Sequence, residues 1–116
     1  MSLSKAKIRE RVATDLGVRA LGDGLQSHDS ARIDQGYKEV YNQLKHNGLA
    51  AWAYNDEVPD KFVPYVVALI CANCAITFGL SQERMTLIMN AANRATRNIR
   101  ELINSEYISH EPITDF

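Results

Sequence analysis

The chain has 116 residues, 46% of them hydrophobic, enough for one domain with a core of its own and no need of covalent staples. A net charge of −1 supplies no overall field that would draw it to nucleic acid or to an anionic membrane surface. No secretory leader precedes the first helical pattern, so synthesis and retention in a cytoplasm are expected.

Ser4 is placed to cap a first helix, with Leu3 before it as a hydrophobic staple. Ile8, Val12 and Leu16 then recur at helical spacing, and Gly17 supplies a left-handed stop. Lys5 with Arg9 and Lys7 with Arg11 are like-charge pairs one turn apart, and they crowd the positive end of the helix dipole. That pattern is either a solvated basic face or one that meets an anionic partner. Gly22, Asp23 and Gly24 mark a connector, and Ser27 or Asp29 caps a second helix. Ile33, Tyr37, Val40, Tyr41 and Leu44 form its apolar stripe. Gly36 lies beside that stripe at a cost of about 1 kcal/mol relative to alanine, so a close helix crossing is expected there. Asn47-Gly48 ends the helix. Trp52 and Tyr54 follow, then the turn-forming Asn55-Asp56-Glu57. Trp52 either lids its own core or anchors a partner.

From Pro59 to Gly79 runs the most apolar stretch of the chain. A membrane span needs roughly 20 uninterrupted apolar residues, and Asp60, Lys61 and Asn73 deny it that length. It reads as a buried helix around which the others pack. Pro64 is tolerated only in the first turn, which puts the start of regular helix between Asp60 and Val63. A charge placed at Ala72, inside the run, is expected to prevent folding. Beyond Gly79, Ser81 caps a last helix whose face is Met85, Ile88, Met89, Ala92, Ala95, Ile99, Leu102 and Ile103. Leu87 stands off that face, as a second contact would. Arg94, Arg97 and Arg100 step along the polar side. Ser105 to Phe116 has no helical period; Tyr107, Ile108, Ile113 and Phe116 alternate with polar residues and Pro112, as in an extended arm. The expected architecture is all-α, a bundle of about four helices around a central apolar one, with residues 1–104 as the helical domain and 105–116 as an extended C-terminal arm.

Little in the chain suggests catalysis. Cys71 and Cys74 form a C-x-x-C inside the apolar helix, where thiols are buried and inert. His28, His46 and His110 show no ligand spacing, and neither a phosphate-cradling loop nor a nucleophile–base arrangement is present. The expectation is no enzyme, no cofactor and no metal. Two other features stand out. The first helix opens with basic residues while the chain after Arg100 is acidic, and the apolar arm has no local cover. Both suit a subunit that reaches a neighbour.

The order of these pieces resembles the head-to-tail connector (adaptor) proteins of tailed bacteriophages, especially the packaged-DNA stabilisation or tail accessory proteins of short-tailed phages. The resemblance lies in IRERVATDLGV, in ARIDQGYKEVYNQLKHNGL, in Trp52-Ala53-Tyr54 with the acidic turn and Pro59 after it, and in the apolar helix closing on Ala75-Ile76-Thr77-Phe78-Gly79-Leu80. It spans residues 6 to 104. It implies antiparallel helices and self-association into a ring beneath the phage portal protein, in the virion at the head-tail junction after assembly in the host cytoplasm. Such a ring extends the DNA channel, holds the packaged genome and gives tail proteins a platform, with no cofactor and no membrane. In that setting Arg94, Arg97 and Arg100 face either a DNA-filled lumen, non-specifically, or an acidic neighbour. The arm, Tyr107, Ile108, Ile113 and Phe116, docks on portal or neighbour, and Trp52 is a further docking candidate.

The alternative is a small helical DNA-binding protein, such as a packaging-terminase small subunit or a helix-turn-helix regulator. A recognition helix needs clustered basic and amide side chains in a basic domain. The near-neutral charge and the long glycine-containing gap between the first two helices weigh against it. A bundle that regulates some host protein is a third reading.

Overall fold

The computed structural model describes the backbone of residues 2–17 and 27–110, and the side chains of 2–17 and 28–105. Four helices and one short strand pair follow in the order β1 (Ser2–Leu3), α1 (Lys5–Leu16), α2 (Ser27–His46), β2 (Val58–Pro59), α3 (Val63–Cys74) and α4 (Gln82–His110). The class is all-α, and among the described residues no helix is long and apolar enough to cross a membrane.

The first helix forms for the reasons its sequence states. The Ser4 hydroxyl accepts a hydrogen bond from the Lys7 amide at 3.3 Å, and Gly17 closes the helix with φ of 74°, a conformation glycine takes without a Cβ penalty. Ile8, Val12, Ala13 and Leu16 are buried. Ahead of the cap, Leu3 pairs antiparallel with Val58 and Ser2 with Pro59. This tie joins the start of the chain to the entrance of α3, across more than fifty residues, and local sequence holds no sign of it.

On α2 the stripe Ile33, Tyr37, Val40, Tyr41 and Leu44 is wholly buried. Gly36 sits where α2 crosses α3: a Cβ there would lie 2.8 Å from Cys74 Sγ and 3.1 Å from Asn73 Oδ1, so the close crossing read from the sequence is real. The connector after α2 carries Trp52 into the core, 8% exposed. Its indole donates to the Tyr37 hydroxyl at 3.1 Å, and the Tyr41 hydroxyl donates to the Trp52 carbonyl at 2.8 Å. With Phe62 packed 5.3 Å from its ring, Trp52 is a core residue. The docking role considered for it is therefore withdrawn, because little of the side chain is exposed and its N–H is already engaged.

α3 begins at Val63, with Pro64 in its first turn, where no amide is missed. It packs against α1, α2 and α4. Val63, Val66, Val67, Ile70, Cys71 and Cys74 are buried, whereas Ala68, Leu69 and Ala72 are only half-buried. A carboxylate at Ala72 has water within reach, so that substitution is not the one that breaks the core.

The helix also stops earlier than its apolar run. Cys74 is its last residue, Ala75 to Gly79 are turns, and Ile76 is 82% exposed. The cause lies in α2. Arg32 donates to the Asn73 carbonyl at 2.9 Å, to Asn73 Oδ1 at 3.1 Å and to Thr77 Oγ1 at 3.0 Å. A guanidinium thus takes a carbonyl that a further turn would have used, and a cation at a helix C-terminus is favourable.

Ser81 caps α4 through a 3.3 Å bond from the Arg84 amide. Ala92, Ala95 and Ile99 are its buried residues. The helix then continues to His110, so Ser105 to His110 are helical and the arm expected to begin at Ser105 does not. No glycine or proline interrupts the chain before Pro112, and loss of the apolar period marks only where the helix leaves the core. Tyr107 and Ile108 lie on α4, while Ile113 and Phe116 fall outside the described residues. The long axis of the molecule is 57 Å against 29 and 24 Å for the others.

Candidate functional site

Among the described residues, no buried side-chain nitrogen or oxygen lacks a partner, and no group of three or more His, Cys, Asp or Glu is placed to hold a metal ion. Cys71 and Cys74 are free and buried. Burial, with the Asp15 carboxylate adding to it, pushes the Cys71 thiol from 9.0 up to about 12, and burial raises Cys74 as well. Neither is a nucleophile near neutral pH.

A thiol whose folded pKa is raised binds its proton more tightly in the folded state. Its contribution is complete below pH 9 and is lost as pH rises toward 12, at up to about 1.4 kcal/mol per unit. The intact fold is expected to resist a thiol reagent at pH 8 and to lose stability between pH 9 and 11. Cys71→Ala with Cys74→Ala should fold, cost at most a few kcal/mol and show a shallower alkaline decline in denaturant titrations. Rapid labelling of the native chain, or an unchanged slope, would contradict the burial.

The surface carries more information. Basic residues of α1 are partly used inside the molecule: Lys5 lies 4.2 Å over the Tyr54 ring, and Arg9 pairs with Asp34 at 2.8 Å. Only part of that face is open to an anionic partner. A second polar cluster, Arg32, Asn73, Glu39 and Gln35, bridges α2 and α3. Asn73 donates to Glu39 at 3.1 Å, and bonds from Asn73 first and Gln35 next hold the Glu39 carboxyl below its usual range. This cluster is saturated, and it serves the fold.

What remains is α4. Arg84, in its first turn, donates to the Asp15 carbonyl, so one arginine closes the C-terminus of α1. Arg94, Arg97 and Arg100 are exposed, and among the described residues no hydrogen bond or ion pair engages them. From Arg84 to Arg100 the helix holds those four arginines and no Asp or Glu. At about 100° per residue the three unpaired arginines fan across the side of α4 opposite Ala92, Ala95 and Ile99. The expected row is present as geometry, and no described residue pairs with it.

Two flanks of α4 are also left uncovered. Leu87 is 68% exposed and Met89 48%, on opposite sides of the packed stripe. Beside Leu87 a shallow hollow of about 190 Å³ is lined by Asp15 from α1, Pro64, Ala68 and Cys71 from α3, and Ile88 and Ala91 from α4. Further along α4, at Thr96, a wider one of about 430 Å³ runs between α2, α3 and α4 past Leu44, Leu69 and Ala72. The position of Leu87 off the apolar stripe was the sequence sign of the first. The exposure of Ile76 had no such sign. In comparisons with protein families, curated proteins and solved structures, the chain finds no match.

Proposed function

We propose that this chain is a structural, non-enzymatic subunit of a multi-copy assembly, with its helices bundled around α3. More particularly, we take it to be a head-to-tail connector protein of a tailed phage. Copies form a ring beneath the portal, lengthen the DNA channel, help hold the packaged genome and offer tail proteins a platform. The observation that carries this reading is α4, a helix with four arginines, no acid between them, and three of the four without a partner among the described residues. The saturated core and the family resemblance of residues 6 to 104 support it further. A lone domain has little use for an unneutralised cationic face flanked by bare Leu87 and Met89, whereas a subunit between DNA and protein neighbours has a use for each.

Replacing Arg94, Arg97 and Arg100 together by Gln should leave the fold unchanged within about 0.5 kcal/mol, since exposed positions without partners rarely matter to stability. If they face packaged DNA, particles should assemble and then lose genome more readily as salt is raised. If they meet an acidic neighbour, assembly itself should fail. Particles that form and keep their genome normally would remove the arginines from the mechanism. Sequence-specific duplex binding by the isolated chain would favour the small DNA-binding alternative.

A further inference from the structure

The hollow beside Leu87 has the shape of an acceptor. Its floor is made of small residues, Pro64, Ala68, Cys71 and Ala91, so an incoming chain can come close to both helices. Leu87 stands as one wall at 68% exposure, and Arg94 lies two turns further along the same flank of α4 with no partner among the described residues. The hollow suits an occupant with apolar side chains to cover Leu87 and carboxylates directed along α4 toward Arg94, away from the Asp15 carboxylate that also lines it.

The chain itself contains a segment of that composition. Residues 105–116, SEYISHEPITDF, combine Tyr107, Ile108, Ile113 and Phe116 with Glu106, Glu111 and Asp115. Their own hollow is beyond their reach. Leu87 and His110 are 23 positions apart on one continuous helix, about 35 Å at the standard rise. Phe116 is six positions past His110 and extends at most about 21 Å, before any residue is used to reverse direction. A segment complementary to a site it cannot reach within its own molecule can reach the same site on another.

We propose that the α3–α4 hollow, with Leu87 as its wall and Arg94 about one turn of α4 beyond Ala91, receives the C-terminal segment of a second copy. The contact is heterologous: one copy's segment enters another's hollow, which leaves the first copy's hollow and the second copy's segment free for further copies. Such contacts propagate until they close a ring or continue as a filament. The inference deepens the connector reading by naming the surface through which copies join.

The test uses the full-length protein and a fluorescein-labelled synthetic peptide of residues 105–116, followed by anisotropy, with shifts of the amide signals of Ala68, Leu87 and Ala91 recorded by NMR. Saturable binding that perturbs those amides is expected. Leu87→Glu, at an exposed site that tolerates charge, should weaken binding about tenfold or more while leaving the circular dichroism spectrum intact. Arg94→Glu should weaken it several-fold, and a peptide carrying Glu111→Arg should recover part of that loss. No binding at millimolar protein, or binding indifferent to Leu87→Glu, overturns the proposal. The connector reading fails differently: a peptide that binds as described, in a chain absent from the head-tail junction, leaves this contact standing and removes the phage role.

Discussion

Ile70→Asp is expected to abolish folding, while Ala72→Asp, two residues away on the same helix, is expected to leave it nearly intact. Ile70 is 0% exposed and lies at the crossing of α2 and α3, where its Cγ2 would be 3.4 Å from a Cβ placed on Gly36. Losing that side chain forfeits roughly 1.5–3 kcal/mol of burial, and an unpaired carboxylate in its place adds several more or forces protonation. The sum rivals the whole stability of a small domain, about 5–15 kcal/mol. Ala72 borders the wide hollow between α2, α3 and α4, where a carboxylate stays hydrated. Far-UV circular dichroism and thermal melting distinguish the two. The expectation is no cooperative transition for the first and a melting point within a few degrees of the parent for the second. Equal damage from both would mean that α3 is covered on all sides.

Deletion of Ser105 to Phe116 is the second large effect, and it is large on assembly only. Among the described residues of α4 the last fully buried one is Ile99, with Leu102 and Ile103 packed partly against the core. Ser105 is exposed. Truncation after Asn104 therefore removes six residues of helix and none of the described core. Helical signal should fall slightly and the melting transition should stay in place, while attachment to neighbour or portal is lost or sharply weakened. Several apolar side chains at roughly 1.5–3 kcal/mol each are at stake, set against the ordering of the segment that carries them. Loss of cooperative melting would place the segment in the core. Undiminished assembly would deny it any docking role.

Wherever the controlling interactions are local, the fold can be read from the residues. Ser4, the Ile8-Val12-Leu16 spacing and Gly17 state α1 within a single stretch of chain. The stripe of α2 and its buried Gly36 state a close crossing, although they do not name the partner helix. Legibility ends where distant residues decide. Nothing near Asn73 reveals that Arg32 will take its carbonyl and end α3 before Ile76. The Ser2–Leu3 strand needs Val58 and Pro59 for its partner. At α4 the difficulty was different: apolar period reports a buried face, and a helix that outruns its core keeps its backbone bonds without that period. The absence of any breaker before Pro112 was the better guide. Trp52 was ambiguous because an indole suits a core or a docking site equally well, and the two tyrosine hydroxyls that decide the matter come from α2.

The same distinction holds for the candidate surface. Arg94, Arg97 and Arg100 were visible in the sequence as a row, but not whether acids elsewhere neutralise them. Arg9 finds Asp34 and Arg84 finds the end of α1, whereas these three find nothing among the described residues. The Leu87 hollow was half visible, as a leucine off its stripe, and its floor of small residues from α3 required the packing of two helices to appear.

The connector reading is tested most directly by binding to the portal. The purified chain is mixed with the portal protein of the phage that, on this reading, encodes it, and the mixture is resolved by sedimentation and imaged by electron microscopy. The account predicts that the chain co-sediments with portal rings and adds a layer of density on the tail-proximal side, and that the chain lacking residues 105–116 does so weakly or not at all. A chain that remains wholly unbound at micromolar portal, with its helical fold intact, would contradict it.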